Sequence, residues 1–324
     1  FSVTIFDKSR GVGGRMSTRR AGEMGTFDHG AQYFTARHPV FTRYLHSWSQ
    51  QGLVAPWPRM GHPGEKIVVL KNGAIQSESG SQNRYIAVPT MNSVCKHLAH
   101  GLEVRLQARV KQVVQRTHDL ELVDENGASL GNFDRLIVTA PAAQAGELVA
   151  DFPDLANQAL AIQMNPCWAA MASFEQPVTR DWVGAFLHDS FLSWAARNNT
   201  KTGRHQEIES LVLHAQPDWT EKHWESDPTE IGQKMLSEFW RISGLPVLPA
   251  IHLQCHRWKF AIAERPLEEG YLLSDCGKVA CCGDWTSGSR VEGAFLSGLA
   301  TAGRMLGTLV EQESIPIGRQ KQLF

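Results

Sequence analysis

Asp7 and a glycine-rich turn stand side by side near the start of the chain. Val3-Thr4-Ile5-Phe6 is a short β-branched and aromatic run, which predicts a strand ending at Asp7. Ser9-Arg10-Gly11-Val12-Gly13-Gly14-Arg15-Met16-Ser17-Thr18 follows at once. A carboxylate at the carboxyl end of a strand can accept hydrogen bonds from an adenosine ribose. Neighbouring glycines let the backbone approach a ligand closely, and Arg15 offers a cation for phosphate oxygens. The GxGxxG fingerprint is broken by Met16, and the acid precedes the glycines. The turn therefore reads as a second ligand contact rather than the pyrophosphate loop itself, with an ordinary surface loop as the alternative.

Two further segments could meet the same ligand. Phe27-Asp28-His29-Gly30-Ala31-Gln32-Tyr33-Phe34 sets small residues beside polar and aromatic ones, a pattern that can run along a planar ring system or form a core turn. In Gly283-Asp284-Trp285-Thr286-Ser287-Gly288-Ser289-Arg290-Val291-Glu292-Gly293-Ala294-Phe295, a strand ends in Gly-Asp and a helix begins. The helix start offers unpaired N–H groups and a partial positive charge, and Gly293 and Ala294 leave room for close approach. Between these segments lies a tryptophan-rich block. Trp258 and then Trp194 are the candidates for an apolar wall against a flat ring. His256 and Arg257, beside Trp258, could meet a carboxamide or phosphate or lie on a surface strand.

The elements that must position these residues follow from periodicity. Strands are expected at Lys66 to Leu70, Tyr85 to Val88, Val104 to Leu106, Val110 to Gln115 and Leu120 to Asp124, with turns at Asn72-Gly73 and Asn126-Gly127. Thr90 is expected to cap a helix over Met91 to Ala99. Arg135 to Pro141 and Lys278 to Cys282 read as strands buried on both faces of a parallel sheet. Thr229 to Ile242 and Val291 to Val310 read as helices, and Ser314 to Phe324 as a loose tail. Seven of the ten tryptophans fall between residues 150 and 265, which marks a separate unit. The expected class is α/β. A discontinuous ligand-binding domain spans 1–36, 90–148 and 266–324, and a mixed-sheet α+β domain spans 37–89 and 149–265. Val3 to Phe6 and Val279 to Cys282 are expected to share one sheet.

Composition narrows the function classes. The chain has 324 residues, 42% hydrophobic and 20% charged, so it holds enough apolar material for two domains and is neither disordered nor fibrous. A net charge of -1 argues against a dedicated nucleic-acid binder. No apolar run is long enough to span a membrane. The six cysteines form neither a CxxC nor a zinc-like spacing, which points to a reducing, cytoplasmic setting with no metal. The chain opens on Phe1 with no signal-peptide pattern.

Ser9-Arg10-Gly11-Val12-Gly13-Gly14-Arg15-Met16-Ser17 resembles the GG motif of the amine-oxidase superfamily of FAD enzymes. Gly283-Asp284 with Val291-Glu292-Gly293-Ala294 resembles that superfamily's C-terminal flavin motif. Phe27 to Arg37 and His256-Arg257-Trp258-Lys259-Phe260-Ala261 are similar, more narrowly, to the bacterial renalase-like flavoproteins. The resemblance runs in order through nearly the whole chain. It implies a Rossmann-like FAD domain whose first strand and GxGxxG helix, roughly 30 residues, would precede the strand at Val3. It implies that Asp7 contacts the adenosine ribose and that Arg15, Gly13 and Gly14 face the pyrophosphate. Val110 would present its backbone to adenine, and Gln32, Tyr33 and Phe34 would lie near the isoalloxazine. Asp284 would bind the ribityl or phosphate region, and Glu292, Gly293 and Ala294 would meet the pyrimidine edge. Lys8, Arg10, Gly283, Arg290 and Val291 complete the expected cofactor set.

The same resemblance implies oxidation of the 2- and 6-dihydropyridine isomers of NAD(P)H to NAD(P)+, with O2 reduced to hydrogen peroxide. Losing hydride from such a ring leaves an aromatic cation and needs no general base, in keeping with the lack of a Ser/His/Asp or Cys/His constellation. Two alternatives stand beside it. A true amine oxidase commonly flanks its amine with an aromatic pair, often tyrosines, and no tyrosine lies just before Gly283-Asp284 here. A flavin-free binding or remnant protein is the other.

Overall fold

Pro166 to Phe174 is buried on both faces, which demands a sheet covered on each side. In a computed structural model, which describes residues 1–59, 61–62, 64–80 and 82–307, this segment is the second strand of a seven-stranded sheet. The order across the sheet is His252–Ala263, Met164–Phe174, Glu209–Ala215, Leu192–Arg197, Gly184–Leu187, Ile67–Lys71 and Ala74–Glu78. All neighbours pair antiparallel except Gly184–Leu187 with Ile67–Lys71. Segments from either side of residues 90–148 therefore share one sheet.

The Pro228–Ser243 helix covers one face of that sheet. Asp227 caps it, accepting from Thr229 N at 2.8 Å, Pro228 fits its first turn, and Gly244 ends it in the left-handed region. Its Ile231, Met235, Phe239 and Ile242 recur at helical spacing and enter the sheet's core with Trp168, Phe174 and Trp182.

A second core holds the other α/β elements. Leu136–Val138 pairs parallel with Val279–Cys281, and the antiparallel meander Val110–Gln115, Leu120–Asp124, Ser129–Phe133 packs nearby. The helices Ala142–Leu148 and Pro153–Leu160 belong to this core. Its members Val149, Phe152, Leu155 and Ala159 thus lie beyond the domain boundary expected after residue 148.

Several expectations need correction. Thr4–Asp7 pairs parallel with Glu103–Leu106 in a sheet of its own, not with Val279–Cys281. Among the described residues no strand lies between the two parallel pairs to bond both, and each borders a large cavity instead. Ile137 is 40% exposed because it faces that cavity, so its strand is not buried on both faces. The helix expected from Met91 is Ser93–Ala99, with Asn92 at its cap position. Thr90 stays outside and bonds Asn92 Oδ1 at 2.8 Å. The C-terminal helix is described over Val291–Leu306, and the expected tail at Ser314 to Phe324 lies outside the described residues. No described helix is long and apolar enough to cross a membrane.

Candidate functional site

The glycine-rich turn adopts backbone that side chains disfavour: Gly13 has φ +130° and Gly14 φ +50°. A Cβ on Gly13 would lie 2.7 Å from the Asn92 Cβ. The turn closes through Met16 N to Gly13 O at 2.8 Å. This geometry sends Arg15 across to the C-terminal motif. Its guanidinium donates to both Asp284 oxygens, at 2.8 and 2.5 Å, and to the Ala261 carbonyl at 3.1 Å. The cation expected at a phosphate is thus paired within the protein.

Gly30 fits where nothing larger can. A Cβ there would lie 2.0 Å from the Arg15 carbonyl oxygen, which accepts from Ala31 N at 2.9 Å. The close approach locks the Phe27 to Phe34 segment against the turn. Behind it Asp28, Lys201 and Arg204 are wholly buried. Arg204 Nη2 donates to Asp28 Oδ2 at 2.7 Å, Lys201 Nζ to the same oxygen at 3.2 Å, and Thr18 Oγ1 to Oδ1 at 2.7 Å. Burial alone would raise the Asp28 carboxyl, but the two cations and the Thr18 bond hold it down to about 2. Lys201 shares its carboxylate with Arg204, so burial prevails and lowers it to about 8. Lys201 also donates to Gln32 Oε1 at 3.2 Å, while the Gln32 amide donates to the carbonyls of Asp28 and Gly30. Gln32 is therefore held on both sides.

Histidines and an indole form the next wall. Trp258 Nε1 donates to His29 O at 2.9 Å, and the His256 ring stands 4.3 Å from Trp258 and 4.9 Å from His29, both edge-on. His214 Nε2 lies 3.1 Å from the same His29 carbonyl. Burial drives all three imidazoles down, His29 to about 3 and His214 and His256 to about 4, with Arg19 adding repulsion at His29 and His256. They are neutral and weakly basic at pH 7.

These walls enclose a cavity of about 2230 Å³. Asp7, Lys8, Arg10, Gly13, Gly14 and Arg15 line it, as do Gln32, Tyr33, Phe34 and Val110. So do Asp284, Arg290, Val291 and Ala294, and the wall candidates Trp194, His256 and Trp258. Ala294, Gly298 and Ala302 turn a strip of small residues toward it, where a flat group can approach the helix. The buried Trp194 Nε1 on its wall has no hydrogen-bond partner among the described residues. The small-residue strip and the unpartnered donor both fit FAD.

Other expected contacts fall elsewhere. Glu292 is buried outside the lining, and its Oε1 accepts from Arg37 N at 2.6 Å and His38 N at 2.8 Å, tying two segments together. Gly293 packs on its own loop, where a Cβ would meet Gly288 O at 2.0 Å, and Gly283 N donates to Ser297 Oγ at 2.8 Å. Neither glycine lines the cavity. Trp194 is only 1% exposed, boxed by Tyr33, Trp57 and Phe186, so it backs the wall rather than standing free. Arg257 points away to the Trp224 ring, because alternate strand residues face opposite sides. The sequence assigns no role to His29 or His214: His29 lies within the Phe27 to Phe34 segment, and nothing near His214, Lys201 or Arg204 marks them.

Comparison with known proteins agrees with this geometry. Residues 1–48 match an NAD(P)-binding Rossmann-like domain. The chain is 24% identical to renalase of Mus musculus over 316 residues, covering 91% of this chain and 88% of that one. A proposed protoporphyrinogen oxidase from Exiguobacterium sp. 255-15 superposes with TM-score 0.73 at 11% identity, over 95% of this chain and 93% of its own. Cyclohexylamine oxidase from Brevibacterium oxydans does so with TM-score 0.67 at 11% identity, over 93% of each. The family model for flavin containing amine oxidoreductases matches residues 53–306, most of the chain, and the chain belongs to that family.

Proposed function

We propose that this FAD-dependent oxidase takes hydride from the 2- or 6-dihydropyridine isomers of NAD(P)H and releases NAD(P)+. Membership of the family makes the chain an FAD-dependent oxidoreductase acting on a small molecule. When bound, FAD supplies the hydride acceptor and the path for two electrons to O2. The net reaction balances as dihydropyridine, O2 and one proton giving pyridinium and hydrogen peroxide.

One observation carries the choice of substrate: the wall around Trp258 holds no good base. Its three histidines have been pushed to about 3 or 4, and Tyr33 is the only tyrosine in the cavity lining. A dihydropyridine needs only to be positioned, because losing hydride makes it aromatic. An amine must arrive deprotonated, and nothing in this wall takes up a proton near neutral pH. Trp258 would stack on the ring, and His256 would address its carboxamide. Trp194 would support that wall from behind.

In this reading Asp7, Lys8, Arg10 and Val110 hold the adenosine end of FAD, and Gly13 and Gly14 admit its pyrophosphate. Gln32, Tyr33, Phe34, Asp284, Arg290, Val291 and Ala294 surround the flavin end. Arg15, Gly283, Glu292 and Gly293 would act by fixing these segments. Residues 1–36, 90–160 and 266–307 would form the cofactor domain, and the seven-stranded sheet the core of the substrate domain. The test is stoichiometry: the purified holoenzyme should form one NAD(P)+ and one hydrogen peroxide per dihydropyridine consumed. Peroxide formed from amines but not from either isomer would reverse the reading.

A further inference from the structure

The cavity carries a charge the chain as a whole lacks. Eleven lysines and arginines line it against three carboxylates, Asp7, Glu147 and Asp284, while the net charge of the protein is -1. One of the carboxylates, Asp284, is already taken by Arg15. Such a lining attracts anions and repels ammonium ions. Several of these cations are among the residues proposed to contact FAD, but Arg19 is not. It lies on the short strand Thr18–Arg20, opposite Phe27 in the register, two residues from His29. It is half-buried, and its side chain forms no ion pair, hydrogen bond or ring contact among the described residues. It lines the cavity together with His29, His256 and Trp258, and its charge is felt by both histidines. A half-buried guanidinium is costly to leave without a partner. Its planar donor fork matches phosphoryl oxygens.

We infer that Arg19 is a specificity-determining residue that grips a phosphoryl group of the substrate while its ring lies against Trp258. The inference rests on the dinucleotide reading above and adds what that reading lacks, a protein group that tells a nucleotide from a bare dihydropyridine or an amine. The phosphoryl could belong to the pyrophosphate bridge or to a 2′-phosphate.

Equilibrium titration of the FAD-loaded protein with NAD+, NADP+ and nicotinamide riboside separates these. Arg19→Gln should weaken NAD+ and NADP+ alike by about 10- to 100-fold, the range of a lost charge-assisted contact, if the bridge is held. It should weaken NADP+ alone if the 2′-phosphate is. Riboside binding should not change, and Arg19→Lys should restore part of the loss. An unaltered Tm and flavin spectrum establish that the variant is folded and loaded. Equal dinucleotide binding by wild type and Arg19→Gln overturns the role, as does a loss shared by the riboside, or no NAD+ or NADP+ binding by wild type. Failure to oxidise dihydropyridines would overturn the reaction instead, and the binding comparison would still decide Arg19.

Discussion

Arg15 and Asp284 hold each other in a two-pronged ion pair, at 2.8 and 2.5 Å, across 269 residues of chain. The pair joins the glycine-rich turn to the strand end that begins the C-terminal motif. Because Asp284 is largely buried, removing its partner leaves a carboxylate with little water. Arg15→Ala should cost about 1–3 kcal/mol of stability and weaken FAD binding as the two walls separate. A double-mutant cycle with Asp284→Asn should show strong coupling. Additive losses, or an unchanged FAD affinity in a titration of apoprotein, would contradict the account.

The Asp28 cluster makes a stronger prediction. Asp28→Asn leaves Lys201 and Arg204 buried with no counter-charge, and should cost about 3–5 kcal/mol. Urea unfolding midpoints measure it. A loss under 1 kcal/mol would mean that the cations reach water.

Gly30→Ala should be poorly tolerated although the change is a single methyl. The new Cβ would sit 2.0 Å from the Arg15 carbonyl oxygen, so backbone must move and the Ala31–Arg15 bond must lengthen. About 1–3 kcal/mol of stability should be lost, together with tight FAD retention. Thermal melts and the flavin-to-protein absorbance ratio check both.

Stability should fall from pH 7 to pH 5. The unfolded chain protonates its histidines near 6.5, whereas folded His29, His214 and His256 resist until about 3 or 4. Proton uptake therefore favours the unfolded state as pH drops through this window, by about 2 kcal/mol at pH 5 for fully buried His214 alone. Asp28, depressed to about 2, keeps its contribution over that range and loses it only as pH falls below about 4. Unfolding midpoints equal at the two pH values would contradict the burial of these rings.

What the sequence disclosed was local. The strand ending at Asp7, the turn at Gly13-Gly14 and the helix after Gly283-Asp284 each carry their signal within a few residues, because turn chemistry and periodicity act at short range. What it hid was pairing between distant segments. Lys201 meets Asp28 across 173 residues, and no spacing rule links them. The resemblance implies a ligand contact at Glu292, yet its carboxylate accepts from the Arg37 and His38 backbone. The strand at Val3 is legible in the sequence, but its neighbour is not, since hydrophobic pattern fixes which face is buried and not which strand lies alongside.

Anaerobic stopped-flow reduction across pH tests the central claim most directly. The holoenzyme, mixed with a 2- or 6-dihydro isomer of NAD(P)H, should lose its flavin absorbance rapidly, at a rate that hardly changes between about pH 6 and pH 7, because none of the three histidines of the wall titrates there. Primary and secondary amines should bleach it slowly or not at all. Rapid bleaching by an amine that steepens as the ammonium deprotonates, with none by either dihydropyridine isomer, would contradict the account.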